Sequence, residues 1–100
     1  MIVMHSKTVR EYGKANAQAA QPLAEWYAKV EAADWASFAQ LRSDIASTDL
    51  ISGDRFIFNI GGNKYRLLAV VLFKVRTVLI RGIFTHAEHS KLTKDQLLSL

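Results

Sequence analysis

The hydrophobic period of the chain changes near residue 55, and this change restricts the available folds more than any other feature. Upstream, Leu23, Trp26, Tyr27 and Val30 recur at i, i+3, i+4 and i+7, the stripe of a helix that buries one face. Downstream, Arg55–Ile60, Tyr65–Lys74 and Thr77–Thr85 are dense in Val, Ile, Phe and Tyr and follow one another closely, as consecutive strands do. Helices followed by a run of strands predict an α+β fold, with N-terminal helices packed on one face of a small, mainly antiparallel sheet. A chain of 100 residues is long enough to bury a real core, and it is read as one domain over 1–100.

The local signals give the expected elements. Ile2 to Met4 is a short first strand, and Ser6 is the N-cap of a helix to about Asn16 with Val9, Tyr12 and Gly13 inward. Pro22 marks the start of the next helix, because its fixed φ and missing N–H suit a first helical position. Asp34 caps a third, whose Trp35, Phe38, Leu41 and Arg42 keep helical spacing until Ser47, Thr48 and Asp49 end it. These aromatic stripes are read as core.

Gly61-Gly62 is a two-residue turn that would pair Ile60 with Asn63, and Val75-Arg76, a poorer turn sequence, would pair Lys74 with Thr77. Parity then places Phe56, Phe58, Tyr65, Leu67, Ala69, Val71, Phe73, Val78, Ile80 and Phe84 on one apolar face for the helices to cover. Arg55, Ile57, Asn59, Lys64, Arg66, Leu68, Val70, Leu72, Lys74, Arg81, Ile83 and Thr85 share the other, which is expected to be open and functional.

Charge follows the same division. The total is +4, but residues 1–50 carry five basic and six acidic side chains, whereas residues 51–100 carry eight basic and three acidic ones. So one-sided an excess points to a polyanionic partner, with nucleic acid first and an acidic protein or a solvated face as the alternatives. The absence of cysteine excludes disulfides, thiolate metal sites and cysteine nucleophiles. The longest apolar run, Leu67 to Phe73, is far shorter than the ~20 residues a membrane helix needs. The start is too short and uncharged for a signal peptide, so the expected location is the cytoplasm.

Two groups of residues carry chemistry. Arg66 and Arg81 interrupt apolar strands, where a guanidinium is costly unless it meets a carboxylate, a phosphate or water. Thr85-His86-Ala87-Glu88-His89 gathers two imidazoles and a carboxylate; its spacing differs from that of the helical zinc-protease motif, so no metal or other cofactor is assigned. It offers instead a proton donor or acceptor near neutral pH.

In order, His5-Ser6-Lys7, Arg10-Glu11-Tyr12, Leu23-Ala24-Glu25-Trp26-Tyr27, Ala33-Asp34-Trp35-Ala36-Ser37-Phe38 and Leu41-Arg42 resemble the HigB family of bacterial toxins. The runs Phe58-Asn59-Ile60-Gly61-Gly62-Asn63-Lys64-Tyr65-Arg66-Leu67 and Phe84-Thr85-His86-Ala87-Glu88 are similar to that family's most distinctive segments. The resemblance implies a RelE-like fold and ribosome-associated cleavage of messenger RNA by a type II toxin that a HigA antitoxin of the helix-turn-helix type holds inactive. On that implication Lys64, Arg66 and Arg81 neutralise the phosphate while His86 or His89 moves a proton, and Arg55, Asn59, Lys64, Lys74 and Lys91 hold the RNA. The family usually follows Thr-His-Ala-Glu with Tyr-Asp, whereas His89-Ser90 stands here. That departure keeps open a weakened or non-catalytic binding module, and the fold class leaves open a toxin with a non-RNA target such as gyrase.

Overall fold

The computed structural model describes all 100 residues and shows five helices and one five-stranded sheet. Strands β1 (Ile2–Met4), β2 (Asp49–Ser52), β3 (Arg55–Ile60), β4 (Tyr65–Leu72) and β5 (Thr77–Thr85) lie in the order β1-β5-β4-β3-β2. All neighbours are antiparallel except β1, which runs parallel to β5. Helices α1 (Ser6–Ala15), α2 (Ala17–Ala32) and α3 (Phe38–Asp44) belong to the N-terminal half, and α4 (His86–Ser90) and α5 (Lys94–Leu98) follow the sheet. The α+β architecture matches the expectation from the sequence.

The larger core lies between the N-terminal helices and one sheet face. Val9, Leu23, Trp26, Val30, Trp35 and Leu41 meet Phe56, Phe58, Leu67, Val71, Val78 and Ile80 there. Trp26 stands edge-on to Phe58 with ring centroids 5.3 Å apart, the arrangement that aromatic quadrupoles favour. Gly13 brings α1 close to α2, since a Cβ on it would lie 3.3 Å from the Ala20 Cα.

Several element boundaries differ from the sequence reading. His5, with φ of 66°, occupies the cap position of α1, and Ser6 is already helical, its Oγ accepting from Arg10 at 3.0 Å. Helix α2 begins at Ala17, not at Pro22, because the Ala-rich run 17–20 is itself strongly helix-forming. Pro22 therefore sits inside the helix, and its ring lies beside Gly61 in the β3–β4 loop. Ser37 rather than Asp34 caps α3, and Asp34 pairs with Arg76 at 2.8 Å. Arg42 is exposed and lies over the Phe38 ring at 5.8 Å. Strand β2 was not expected; the Gly53-Asp54 turn folds it back on β3.

The hairpins differ too. Gly61, Gly62 and Asn63 all have positive φ and, with Lys64, make a four-residue loop, so Ile60 pairs with Tyr65 instead of Asn63. A shift of two residues keeps every side chain on its expected face. Strand β4 stops at Leu72 and passes through a 3₁₀ turn at Phe73–Val75, so Thr77 pairs with Leu72 instead of Lys74.

A β-bulge matters more. Ala69 pairs with Ile80 and Leu68 with Gly82, leaving Arg81 as the extra residue. Beyond it the alternation of β5 inverts: Ile83 joins the larger core and Phe84 the opposite face, the reverse of the expected parity. That opposite face is not wholly open either, because Leu97 of α5 covers Ile57 and Leu68 in a second, smaller core.

The core predicts its own energetics. Phe58→Ala should lower the unfolding free energy by about 3–5 kcal/mol in urea titration, whereas Leu50→Ala on exposed β2 should change it by less than about 0.5 kcal/mol.

Candidate active site

The second sheet face ends in a polar rung. Asn59, Arg66 and Phe84 are directly paired across β3, β4 and β5, just beyond the apolar patch of Ile57 and Leu68. Asn59 is fixed by donating from Nδ2 to the Ser47 carbonyl at 3.1 Å, which leaves its buried Oδ1 without a partner. Arg66 donates from Nη1 to the Asn63 and Tyr65 carbonyls at 3.2 and 3.4 Å. No carboxylate pairs with it, since the two ion pairs of the chain are Lys7–Glu11 and Arg76–Asp34. A half-buried guanidinium without an acidic partner is able to meet a phosphate.

Helix α4 brings the imidazoles to this rung. Thr85 and Glu88 form a reciprocal capping box: the Thr85 Oγ1 accepts from the Glu88 N–H at 3.1 Å, and the Glu88 carboxylate from the Thr85 N–H at 2.8 Å. The His86 N–H donates to the Lys64 carbonyl at 2.9 Å and ties the helix start to the foot of β4. His86 is exposed, while His89 is partly buried and its Nε2 has no hydrogen-bond partner. Burial, then the charges of Arg66 and His86, hold the His89 pKa below its ordinary 6.5, while Asp49 pulls in the opposite direction. The imidazole is thus neutral at pH 7 and able to take a proton.

The residues singled out in the sequence do not all gather here. Arg66 and His86 both act on His89, and Lys64 and Asn59 adjoin them through backbone contact and pairing. Lys91 is the exposed C-cap of α4. Arg81 is the exposed bulge residue farther along β5. Arg55 lies at the other end of β3, donating to the Leu100 carbonyl at 2.7 Å. Lys74, in the 3₁₀ turn, is beyond the far end of β4, a strand of about 25 Å. No three His, Asp or Glu side chains converge as a metal-ligating group.

Two contributors escaped sequence reasoning. Asp49 reaches the His89 environment from β2, and the Gly53-Asp54 turn signal would have revealed that strand. Tyr12 stands edge-on to Tyr65 at 5.9 Å, and burial together with the nearby Glu88 raises its pKa. The Glu88 carboxylate thus caps a helix and raises the pKa of a nearby phenol. The Thr85-x-x-Glu88 spacing was the available signal for that cap.

Comparison with known proteins identifies the family. Residues 19–92, which run from α2 through α4, match the family model of the HigB toxin, described as the RelE-like toxic component of a toxin-antitoxin system. The chain belongs to the HigB toxin family. Over 38 residues it is 40% identical to the mRNA interferase toxin HigB of Escherichia coli strain K12, a match covering 38% of this chain and 36% of that relative. The same identity and coverage hold for the mRNA interferase HigB of Escherichia coli O157:H7 and of Shigella flexneri. The matched segment spans about a third of these curated HigB relatives. No helix is long and apolar enough to cross a membrane.

The electrostatics of His89 can be checked directly. In an NMR titration its pKa should lie below 6.5, rise when Arg66→Ala removes a positive neighbour, and fall further when Asp49→Asn removes the opposing charge.

Proposed function

We propose that the chain is a type II toxin that cleaves messenger RNA by metal-independent transphosphorylation. The observation that carries this reading is the meeting of Arg66, free of any carboxylate, with the neutral, partly buried His89 at one end of the sheet. Family membership and the printed names of the relatives support it.

In this reaction the His89 imidazole takes the proton of a ribose 2′-hydroxyl, and the O2′–P bond forms as the P–O5′ bond breaks. The protonated form of His86 returns a proton to the departing 5′-oxygen. The products are a 2′,3′-cyclic phosphate and a 5′-hydroxyl, and the proton balance closes with the two imidazoles. Arg66 and Lys64 neutralise the phosphate as its charge develops, and Arg81 approaches it from the bulge farther along β5. Asn59 and Lys91 contact the RNA beside the cleaved bond, and Arg55 and Lys74 hold it farther away.

None of the three surface cavities contains Arg66, His86 or His89. An open site of this kind favours a substrate presented by a larger body, which supports the ribosome as the assembly that offers the messenger. The partner that silences the toxin is a separate HigA-type helix-turn-helix antitoxin; the toxin itself is one domain over 1–100 and acts in the cytoplasm. A second reading, a weakened or non-catalytic binding module, is favoured by His89-Ser90 standing where the family usually has Tyr-Asp.

Primer extension on messenger RNA, with and without ribosomes, tests the activity. Arg66→Ala or Arg81→Ala should reduce cleavage about 100-fold or more while the melting temperature is retained, and a stable, fully toxic double variant would refute the assignment. The rate should fall on the acid side only below pH 6.5, because protonating His89 removes the base and its pKa is lowered. A markedly more active His89→Tyr variant would support the weakened reading.

A further inference from the structure

A groove of about 520 Å³ runs between α1 and α2, lined by these two helices alone. Its apolar surface comes from Val9, Leu23, Ala24 and Tyr27, and its polar edge from Arg10 and Lys14, with no acidic side chain among its lining residues. Both cations belong to α1, in the half of the chain where acidic side chains outnumber basic ones. Arg10 is steadied by its bond to the Ser6 Oγ at 3.0 Å, and Lys14 makes no ion pair. An apolar floor beside a cationic edge, repeating at i, i+3, i+4 and i+7 on each wall, suits an apolar helical stripe flanked by carboxylates.

We propose that this groove receives an acidic, amphipathic helical segment of the antitoxin. The inference rests on the reading of the chain as one half of a toxin–antitoxin pair. Charge complementarity selects the occupant: an acidic segment gains from Arg10 and Lys14, whereas a basic one is repelled. The α1–α2 layer covers the sheet face bearing Phe56 and Phe58, while Arg66 and Asn59 belong to the opposite face. A segment bound in the groove therefore leaves Arg66 and His89 uncovered.

The test is calorimetric titration of the full chain with the antitoxin encoded beside it. Ala24→Arg fills the groove while keeping its positive sign, and Ala24 is exposed, so the fold tolerates it. Lys14→Glu reverses the edge charge, and Lys29→Glu makes the same charge change on α2 outside the groove. Ala24→Arg and Lys14→Glu should each weaken binding about tenfold or more, and Lys29→Glu by less than about twofold. Wild-type affinity in folded Ala24→Arg and Lys14→Glu, or no binding of the antitoxin at all, would overturn the proposal. So would self-association of the chain in sedimentation that Ala24→Arg abolishes, since the occupant would then be a second copy. Because binding is measured without RNA, a chain that cleaves nothing but binds through this groove would refute the nuclease and leave the docking site standing. The converse result would refute the docking site alone.

Discussion

The central strand, β4, is buried on both faces, and the rest of the molecule is arranged around that constraint. Leu67, Ala69 and Val71 face the N-terminal helices, while Leu68 faces the C-terminal ones. A strand covered on both sides tolerates a charge only where one cover ends. Arg66 occupies that place, the second residue after the β3–β4 loop, where carbonyls of Asn63 and Tyr65 satisfy part of its guanidinium. The same loop end receives the first turn of α4 through the His86 N–H to Lys64 carbonyl bond. The proposed chemistry thus sits at the margin of the two cores, where burial suffices to lower an imidazole pKa.

Much of this arrangement was readable from residue types. The switch from helical stripes to strand-like runs located the two layers, and the strand boundaries Arg55, Ile60, Tyr65, Thr77 and Thr85 agree with the structure. Face assignments across β3 and β4 survived an error in loop length because the error was even. They failed beyond Arg81 because one unpaired residue inverts everything after it, and the isolated Gly82 beside it was the mark of that bulge. Pro22 misled for a related reason: a residue suited to a helix start is tolerated farther in when Ala-rich sequence upstream extends the helix.

The site was less legible than the fold. Arg66, His86 and His89 were singled out as residue types in unusual surroundings, and the structure brings them together. Their distinction from Arg55 and Lys74 was not available, because basic residues along a strand carry no sign of which end will meet a helix. The second core was also hidden, since Leu97 belongs to a short helix defined by its cap at Thr93, and Leu92 lies in the link between α4 and α5.

The one parallel pairing in the sheet sets a schedule. Ile2 registers with Thr77 and Met4 with Leu79, so the edge strand must wait for a segment some three-quarters of the chain away. During synthesis α1 and α2 emerge, and can pair with each other, long before β5 exists to complete the sheet and the rung at its end. The helical surface is consequently available earlier than the cluster of Arg66 and His89. A nascent chain would pass through an interval in which it has a surface for a partner and no assembled site.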